Sequence, residues 1–355
     1  MKRMTKKALV LSAVMALVFA GTLFVGCSRQ STGEQPRQAA GGEGQTNTHA
    51  IVFKNTGNPY GEKQMSGFED GIREQGGTAI LRAPDLPTAE AQIQIIDQLI
   101  AQRVASICIV GNDFDALQPV LTKAKNAGIK VYSLDSGVNP ASRLTHVNQA
   151  DSEKIGQTLV EAAYELAGGS GEIAILSATS QAANQNLWIE YMQKELALSK
   201  YSGLNLVKIA YGDDLRDKSV SETEALLLSY PNLKVIVAPT TVGIAAAGKV
   251  ITDRGLQGTV LVTGLGLPSE MAEYIDNGAC PQMYLWNPID VGYLGSYVAT
   301  SLTSGKITGK EGEKFSAGRL GEYTIVKAPD GGTEVLLGPP FRFDKSNIDE
   351  WKSVY

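Results

Sequence analysis

Short apolar runs alternate with longer amphipathic segments from residue 50 almost to the end of the chain. The apolar runs are typical of buried strands of a parallel sheet, and the longer segments carry apolar residues at helical spacing. In the segment 89–102, for example, Ile93, Ile96, Leu99 and Ile100 fall on one helical face. Strands and helices that alternate in this way form right-handed βαβ units, so the pattern predicts an α/β protein with parallel sheets.

The predicted elements form two consecutive groups. The predicted strands cover residues 50–54, 78–82, 106–110, 130–133, 172–176, 205–210, 235–238, 260–263 and 282–285, followed by a hairpin of 323–326 and 334–337. The predicted helices cover residues 61–76, 89–102, 114–127, 151–167, a segment ending near 197, 218–229, 242–254, 268–277 and 290–304. The pattern restarts with the helix 151–167, and 355 residues are enough for two domains. We therefore expect two α/β lobes that face one another across a cleft.

The first 27 residues are typical of a secretory signal. A positive segment, 1–7, precedes an apolar segment, 8–25, and Cys27 follows Gly26. Residues 24–27 resemble a bacterial lipobox with Phe24 in place of the usual Leu, so Cys27 is predicted to carry a lipid. A transmembrane anchor is the alternative, because the apolar segment is nearly long enough to span a bilayer. In both interpretations the globular part lies outside the cytoplasm.

Residues 28–48 are rich in Gly, Gln, Ser and Thr and show no periodicity. This composition is typical of flexible linkers. We therefore predict a tether between the membrane and the folded part of the chain.

Composition argues against several functional classes. The net charge is −5, whereas nucleic-acid-binding proteins usually carry an excess of Lys and Arg. A signal and a tether stand where a transcription factor of similar fold would carry its helix-turn-helix. Two histidines and three cysteines leave little for a metal cluster or a Cys/His catalytic pair, so neither a metal nor a cofactor is expected. Cys108 is predicted to be a buried free thiol, and a disulfide between Cys108 and Cys280 is not expected.

Polar residues follow several of the predicted strands. The loop 179–188 offers Asn184, Gln185 and Asn186 together with Trp188. Open α/β sheets bind ligands at the carboxyl ends of their strands. Amides can donate and accept hydrogen bonds at once, which suits hydroxyls, and an indole face suits the C–H patches of a sugar ring. Because the loop carries no acid–base pair and no activated nucleophile, it is predicted to hold a ligand without reacting with it.

A lipobox-type signal, paired βαβ lobes and Leu134-Asp135-Ser136 after the fourth strand together resemble the type I periplasmic binding proteins of ABC sugar importers. The likeness covers about residues 50–355. It implies two Rossmann-like lobes with parallel sheets, the first formed by residues 49–135 plus 288–311 and the second by 136–287 plus 312–355. It also implies a small-molecule sugar ligand, an ABC transporter permease as partner, membrane attachment through Cys27, and no enzymatic activity.

Further segments resemble the rhamnose-binding branch of this family. They are residues 183–190, 210–214, 238–247, 285–288, 318–325 and 343–349. The resemblance implies L-rhamnose or a similar deoxyhexose as the ligand.

The receptors for autoinducer-2 form a similar branch. The positions here that match their ligand contacts are Lys54, Asp135, Gln185 and Pro239. Asn184, however, stands where that branch has Asp, and Thr241 where it has Ala. Charge-assisted hydrogen bonds are roughly twice as strong as neutral ones, so the missing carboxylate weakens the autoinducer-2 interpretation. The sequence favours rhamnose over autoinducer-2.

The candidate ligand-binding residues belong to both walls of the predicted cleft. They are Lys54, Asn55, Tyr60, Asp135, Asn184, Gln185, Trp188, Pro239, Thr241, Trp286 and Asn287. Asp135 is predicted to accept hydrogen bonds from two adjacent hydroxyls. The alternatives are helix capping for Asn184 and Thr241, a place in the core for Trp188, and a hinge at Asn287. Four residues are expected at the surface, namely His146, Asp213, Asp214 and Asp217.

Two other functions stay open at this point. A secreted sugar-active enzyme requires two carboxylates placed across the scissile bond, whereas the predicted cleft offers Asp135 and, as a weaker second, Asp113. The sequence does not exclude a receptor of the same fold that signals to a membrane sensor kinase.

Overall fold

The computed structural model describes residues 46–355. The predicted signal, the predicted lipid-bearing Cys27 and most of the predicted tether lie outside the described residues. Among the helices that are described, none combines the length and the apolar character needed to cross a membrane.

The secondary structure alternates as the sequence predicts. The strands are β1 (Thr48–Val52), β2 (Thr78–Arg82), β3 (Ser106–Ile109), β4 (Lys130–Leu134), β5 (His146–Asn148), β6 (Gly171–Ser177), β7 (Leu204–Tyr211), β8 (Leu233–Ala238), β9 (Leu261–Gly264), β10 (Gln282–Leu285), β11 (Lys314–Ser316), β12 (Glu322–Thr324), β13 (Val326–Lys327), β14 (Thr333–Leu336) and β15 (Phe341–Asp344). The α-helices are α1 (Pro59–Glu74), α2 (Ala89–Ala101), α3 (Gln118–Asn126), α4 (Ser152–Leu166), α5 (Ala183–Leu196), α6 (Arg216–Ser229), α7 (Thr241–Asp253), α8 (Pro268–Asp276), α9 (Pro288–Thr303) and α10 (Ile348–Trp351).

Two parallel sheets organise the described chain. The first has the strand order β2-β1-β3-β4-β5-β14-β13, in which only the β13–β14 pair is antiparallel. The second has the order β7-β6-β8-β9 and is parallel throughout. A bridge between Leu265 and Tyr284 places β10 beside the end of β9, and β10 pairs antiparallel with β15. The sequence prediction of an α/β fold with two parallel sheets is therefore confirmed.

Helices cover both faces of the first sheet. Because side chains alternate along a strand, Ala50 and Val52 of β1 pack on one side with Ile96 of α2. Ile51 points to the opposite side, into a core that includes Phe68 of α1 and extends to the second sheet. Burial on both faces explains why the strands of this sheet are nearly continuous apolar runs.

Helix α9 returns the chain to the first sheet. It packs against α1 and against β3, β4 and β5. Glycines allow the α1 and α9 backbones to approach closely: a Cβ on Gly292 would lie 1.8 Å from the carbonyl oxygen of Gln64, and one on Gly67 would lie 2.0 Å from that of Ile289. Larger residues at these two positions would force the helices apart.

The predicted lobe boundaries need correction in two places. They assign residues 146–148 and 326–336 to the second lobe, but β5 pairs with β4, and β14 pairs with β5, in the first sheet. The strand β5 is short and polar, so its sequence carries no strand signal, and β14 reaches it from almost 190 residues later in the chain. The predicted terminal hairpin is found only in part: Val326 pairs with Glu334 in β13–β14, whereas residues 323–324 belong to β12, which pairs with β11.

The predicted helix 114–127 begins late, at Gln118. The Asp113 carboxylate accepts hydrogen bonds from the backbone N–H groups of Asp115 and Ala116, which stabilises a turn instead of a helical start. Elsewhere Cys108 and Cys280 are buried free thiols, and burial raises the pKa of both.

Candidate functional site

The carboxyl ends of both sheets surround a narrow cavity of about 40 Å³, here called the inner cavity. The residues that line it are Phe53, Lys54, Asn58, Tyr60, Asp135, Asn184, Gln185, Trp188, Asp214, Pro239, Thr240, Thr241, Leu265, Leu285 and Trp286. The inner cavity therefore lies where open α/β sheets place their ligands.

Asp135 stands directly after β4 and presents a buried carboxylate to the inner cavity. Its φ of 62° falls in the left-handed region, which Asp tolerates better than most residues. A hydrogen bond from its backbone N–H to the carbonyl oxygen of Val147 (2.9 Å) holds this conformation. Burial raises the pKa of Asp135, and the charge of Lys54 acts in the opposite direction.

Three side chains donate hydrogen bonds to the Asp135 carboxylate. Tyr60 Oη and Gln64 Nε2 (3.1 Å) donate to Oδ2, and Asn184 Nδ2 donates to Oδ1 at 2.9 Å. Burial and the neighbouring Asp135 charge raise the pKa of Tyr60, so this phenol stays protonated and acts as a donor. The carboxylate is consequently oriented by its neighbours and can accept further hydrogen bonds from a ligand.

Asn184 connects the two walls of the inner cavity. It lies in the first turn of α5, beside the second sheet, while its partners follow strands of the first sheet. Its Nδ2 donates to Asp135, and its Oδ1 accepts from Lys54 Nζ at 3.3 Å. Asn184 therefore uses its amide for contacts across the cleft, while its Oδ1 also accepts from the Gln185 N–H in the first turn of α5; the N-cap position itself is occupied by Ala182.

Two indole side chains form an aromatic wall. The Trp188 and Trp286 rings meet edge to face, with centroids 5.9 Å apart. Trp286 Nε1 donates to Tyr60 Oη at 2.7 Å. Trp188 Nε1 is buried and has no hydrogen-bond partner within the described residues. A buried donor without a partner is costly, so a ligand hydroxyl beside Trp188 would gain by accepting from it.

The remaining polar groups come from the second wall. Gln185 Oε1 accepts from Ser177 Oγ and from the backbone N–H of Ala178, both at 2.7 Å, which fixes its side chain. Thr240 caps α7 by accepting from the Gly243 N–H, and its hydroxyl donates to Asp214. Thr241, the first residue of α7, lines the cavity without serving as the cap. This wall is thus rigid before any ligand enters.

The model for the periplasmic binding protein domain matches residues 49–307 of the chain. The chain belongs to this family. The prediction of the family is therefore confirmed, and the arrangement of two parallel sheets around a cavity is the type I fold of periplasmic binding proteins. Within residues 46–355 of this periplasmic binding protein, no group of three or more His, Cys, Asp or Glu residues is placed to hold a metal ion.

Solved structures and curated relatives resemble this periplasmic binding protein over most of its length. An ABC transporter solute-binding protein from Clostridium phytofermentas with bound L-rhamnose is 50% identical, with a TM-score of 0.86 over 87% of this chain and 99% of that one. LsrB from Clostridium saccharobutylicum in complex with AI-2 is 23% identical, with a TM-score of 0.81 over 86% and 99%. The D-ribose/D-allose-binding protein of Pseudomonas aeruginosa is 24% identical over 74% of this chain and 81% of its own.

The inner cavity of this periplasmic binding protein brings together most of the sequence-predicted site residues. Those that line it are Lys54, Tyr60, Asp135, Asn184, Gln185, Trp188, Pro239, Thr241 and Trp286. Asn55 is buried beside the cavity and donates to the carbonyl oxygen of Thr56 at 3.1 Å. Asn287 is the N-cap of α9 and accepts from the Ile289 N–H at 2.9 Å. The structure thus gives Asn55 and Asn287 local backbone contacts outside the lining.

Sequence reasoning missed three residues. Gln64 contacts Asp135 from α1, and its spacing of four residues from Tyr60, which puts both on one helical face, could have revealed it. Asp214 lines the inner cavity, contrary to the expected surface position, because it follows β7 at the carboxyl edge of the sheet. His146 is likewise buried, in β5, where burial lowers its pKa to about 3.

Proposed function

We propose that this protein is the extracytoplasmic solute receptor of an ABC sugar importer, and that it binds L-rhamnose or a similar deoxyhexose in the inner cavity. The observation that carries the proposal is the convergence of Asp135, Asn184 and Lys54, from opposite walls, on one cavity with two indoles. The solute-binding protein with bound L-rhamnose, 50% identical over nearly its whole length, supports the choice of ligand.

Each lining group has a role in holding a neutral sugar. The Asp135 carboxylate accepts hydrogen bonds from two adjacent hydroxyls, and the Trp188 Nε1–H donates to another. The indole faces take the C–H side of the ring and the methyl group of a deoxyhexose. Neutral hydrogen bonds contribute about 0.5–1.5 kcal/mol each, and those to the carboxylate about 1.5–3 kcal/mol. A sugar that lacks one of these hydroxyls leaves a buried group unpaired and is rejected.

Autoinducer-2 is the second candidate ligand. It rests on the match of Lys54, Asp135, Gln185 and Pro239 to that branch, while the structural likeness to LsrB, at 23% identity, speaks for the fold alone. Asn184 opposes it, because a neutral amide replaces the carboxylate implied for that branch. We therefore rank L-rhamnose first.

Catalysis is not part of the proposal. The inner cavity does contain a second carboxylate, Asp214, in addition to Asp135. Asp214 accepts a hydrogen bond from Thr240, which itself caps a helix, and this arrangement anchors the second wall. Turnover of 4-nitrophenyl α-L-rhamnoside by the purified protein would contradict the binding role.

A lipid on Cys27 completes the proposal, since it would hold the receptor near its permease. Lipid attachment can be tested by metabolic labelling with a radioactive fatty acid in the full chain and in the Cys27→Ser variant. Label in the native chain that disappears in the variant is expected. Equal labelling, or none in either, contradicts the anchor.

Calorimetry of the purified protein tests the ligand. L-rhamnose is expected to bind with a Kd of about 10 μM or tighter, which corresponds to roughly 7 kcal/mol. L-fucose, D-ribose and autoinducer-2 are expected to bind at least tenfold more weakly. The ligand assignment is wrong if autoinducer-2 binds more tightly than L-rhamnose, and the sugar-receptor proposal is wrong if none of the four binds more tightly than about 1 mM.

A further inference from the structure

A second and larger cavity adjoins the inner one. It measures about 420 Å³, and we call it the outer cavity. Asp135 and Asn184 line both cavities, so the hydrogen bond between them forms the partition. A ligand that replaces this hydrogen bond with its own would therefore touch both spaces at once.

The outer cavity contains a buried polar pair that the inner site does not use. Asn148 at the end of β5 donates through Nδ2 to Glu334 Oε2 of β14 at 2.9 Å, and both side chains line the cavity. Glu334 is only 6% exposed. The hydrogen bond engages one of its two carboxyl oxygens, which leaves the other able to accept from a ligand hydroxyl. Burial raises the pKa of Glu334.

The rest of the lining suits a sugar ring as well. Phe114 and Leu187 provide apolar surface from the two walls, and the amide of Asn186 stands on α5 beside Leu187. The described residues that line the outer cavity include no Lys or Arg, so the chemistry does not favour an anionic group such as a phosphate. Six carboxylates also line the outer cavity, and they can accept hydrogen bonds from the hydroxyls of a polyhydroxylated ligand: Asp113, Asp115, Asp135, Glu190, Asp330 and Glu334.

We propose that the outer cavity is a second sugar subsite and that the receptor takes L-rhamnosyl disaccharides, with rhamnose in the inner cavity and a second pyranose between Phe114, Leu187 and Glu334. This inference rests on the function proposed above, because it assumes that the inner cavity holds the rhamnosyl unit. The glycosidic oxygen then passes the partition formed by Asp135 and Asn184.

Calorimetry with four probes tests the second subsite. L-rhamnose reports on the inner cavity alone, and methyl α-L-rhamnoside shows whether a substituent on the anomeric oxygen is accepted. Rutinose and neohesperidose carry rhamnose on O6 and on O2 of glucose, respectively, and add the second ring. We expect at least one of these disaccharides to bind fivefold or more tightly than methyl α-L-rhamnoside.

Two variants assign that gain to the outer cavity. Glu334→Gln keeps the shape of the buried pair but removes the carboxylate, and Asn186→Trp fills the space from an exposed position on α5. In each variant, the disaccharide is expected to bind less than twofold more tightly than methyl α-L-rhamnoside. The affinity for L-rhamnose should stay within twofold of the native value. Glu322→Gln, the same chemical change on the exposed strand β12, is the control and should alter nothing.

The outcomes separate the two proposals. If L-rhamnose fails to bind, the proposed function is wrong. If L-rhamnose binds but both disaccharides bind more weakly than methyl α-L-rhamnoside, only the second subsite is wrong. A gain that survives both Glu334→Gln and Asn186→Trp also overturns the second subsite.

Discussion

Replacing Asp135 by Asn separates the contribution of this residue to binding from its contribution to stability. Asn is nearly the same size and tolerates the left-handed backbone conformation, so the φ of 62° is preserved. The change removes the charge and one acceptor oxygen from a group that receives hydrogen bonds from Tyr60, Gln64 and Asn184. The fold around the site should therefore remain, while the strongest acceptor in the inner cavity is lost.

The expected loss of affinity follows from the two ligand hydroxyls assigned to Asp135. A hydrogen bond to a charged group contributes about 1.5–3 kcal/mol and a neutral one about 0.5–1.5 kcal/mol, so each hydroxyl loses about 1–1.5 kcal/mol. Two hydroxyls lose about 2–3 kcal/mol, which weakens L-rhamnose binding roughly 30- to 150-fold. Calorimetry at neutral pH measures this ratio.

Stability is expected to change in the opposite direction or hardly at all. Because burial raises the pKa of Asp135 in the folded protein, the folded state binds its proton more tightly than the unfolded state does. Asp135 stabilises the fold fully only when it is protonated, below the unfolded pKa of 3.8. This stabilisation is lost as the pH rises from 3.8 through the raised pKa of the folded state, so at pH 7 the ionised carboxylate lowers the unfolding free energy. Asn removes that cost, so urea denaturation should show an unfolding free energy equal to the native value or up to about 1 kcal/mol above it.

The control is Asp97→Asn, the same substitution at an exposed carboxylate that pairs with Lys123. It should leave both affinity and stability unchanged. If Asp135→Asn binds L-rhamnose within threefold of the native protein, Asp135 does not contact the sugar hydroxyls and the model of the site fails.

Three further perturbations test other parts of the structure. Trp286→Phe deletes the 2.7 Å donation to Tyr60, so urea denaturation should show an unfolding free energy lower by about 0.5–1.5 kcal/mol; an unchanged unfolding free energy contradicts this. Gly292→Ala places a Cβ 1.8 Å from a carbonyl oxygen of α1 and should lower the unfolding free energy by about 1–3 kcal/mol in urea, whereas Gly338→Ala, in open space, should not. His146 has a pKa of about 3 when folded against 6.5 when unfolded, so its neutral form supports stability above pH 6.5 and that support fades as the pH falls towards 3. Between pH 7 and pH 5, the unfolding free energy measured in urea should fall by about 2 kcal/mol less in His146→Gln than in the native protein. An equal fall in both proteins would refute this role of His146.

Local sequence pattern was sufficient for most of the fold. The strands that are apolar on both faces, such as β1 and β3, and the helices with a clear apolar face, such as α2, lie within about two residues of their predicted bounds. These elements form because burial of a local apolar pattern decides their structure. By contrast β5, which contains His146 and Asn148, is a strand only because β4 and β14 flank it. No local pattern encodes that pairing.

The site was predictable where a polar residue directly follows a strand. Asp135 and Trp286 were found by this rule, because the carboxyl ends of parallel strands converge at one edge of a sheet. Gln64 was missed because it reaches Asp135 from within a helix, and Asp214 because an acidic loop residue is usually solvated. Asn287 was assigned to the ligand although its position before Pro288 favours a helix cap, which is its role here.

The bond between Asn184 and Asp135 has a consequence for how such a receptor would release its cargo. A sugar that enters displaces this bond and the one from Lys54, so its first hydroxyls merely exchange one partner for another. Binding is therefore favourable only for a solute that forms hydrogen bonds with several groups at the same time. When the sugar leaves, the hydrogen bond between Asn184 and Asp135 forms again and offsets part of the free energy lost with the sugar contacts. Release of the sugar would therefore cost less free energy than the number of its contacts suggests.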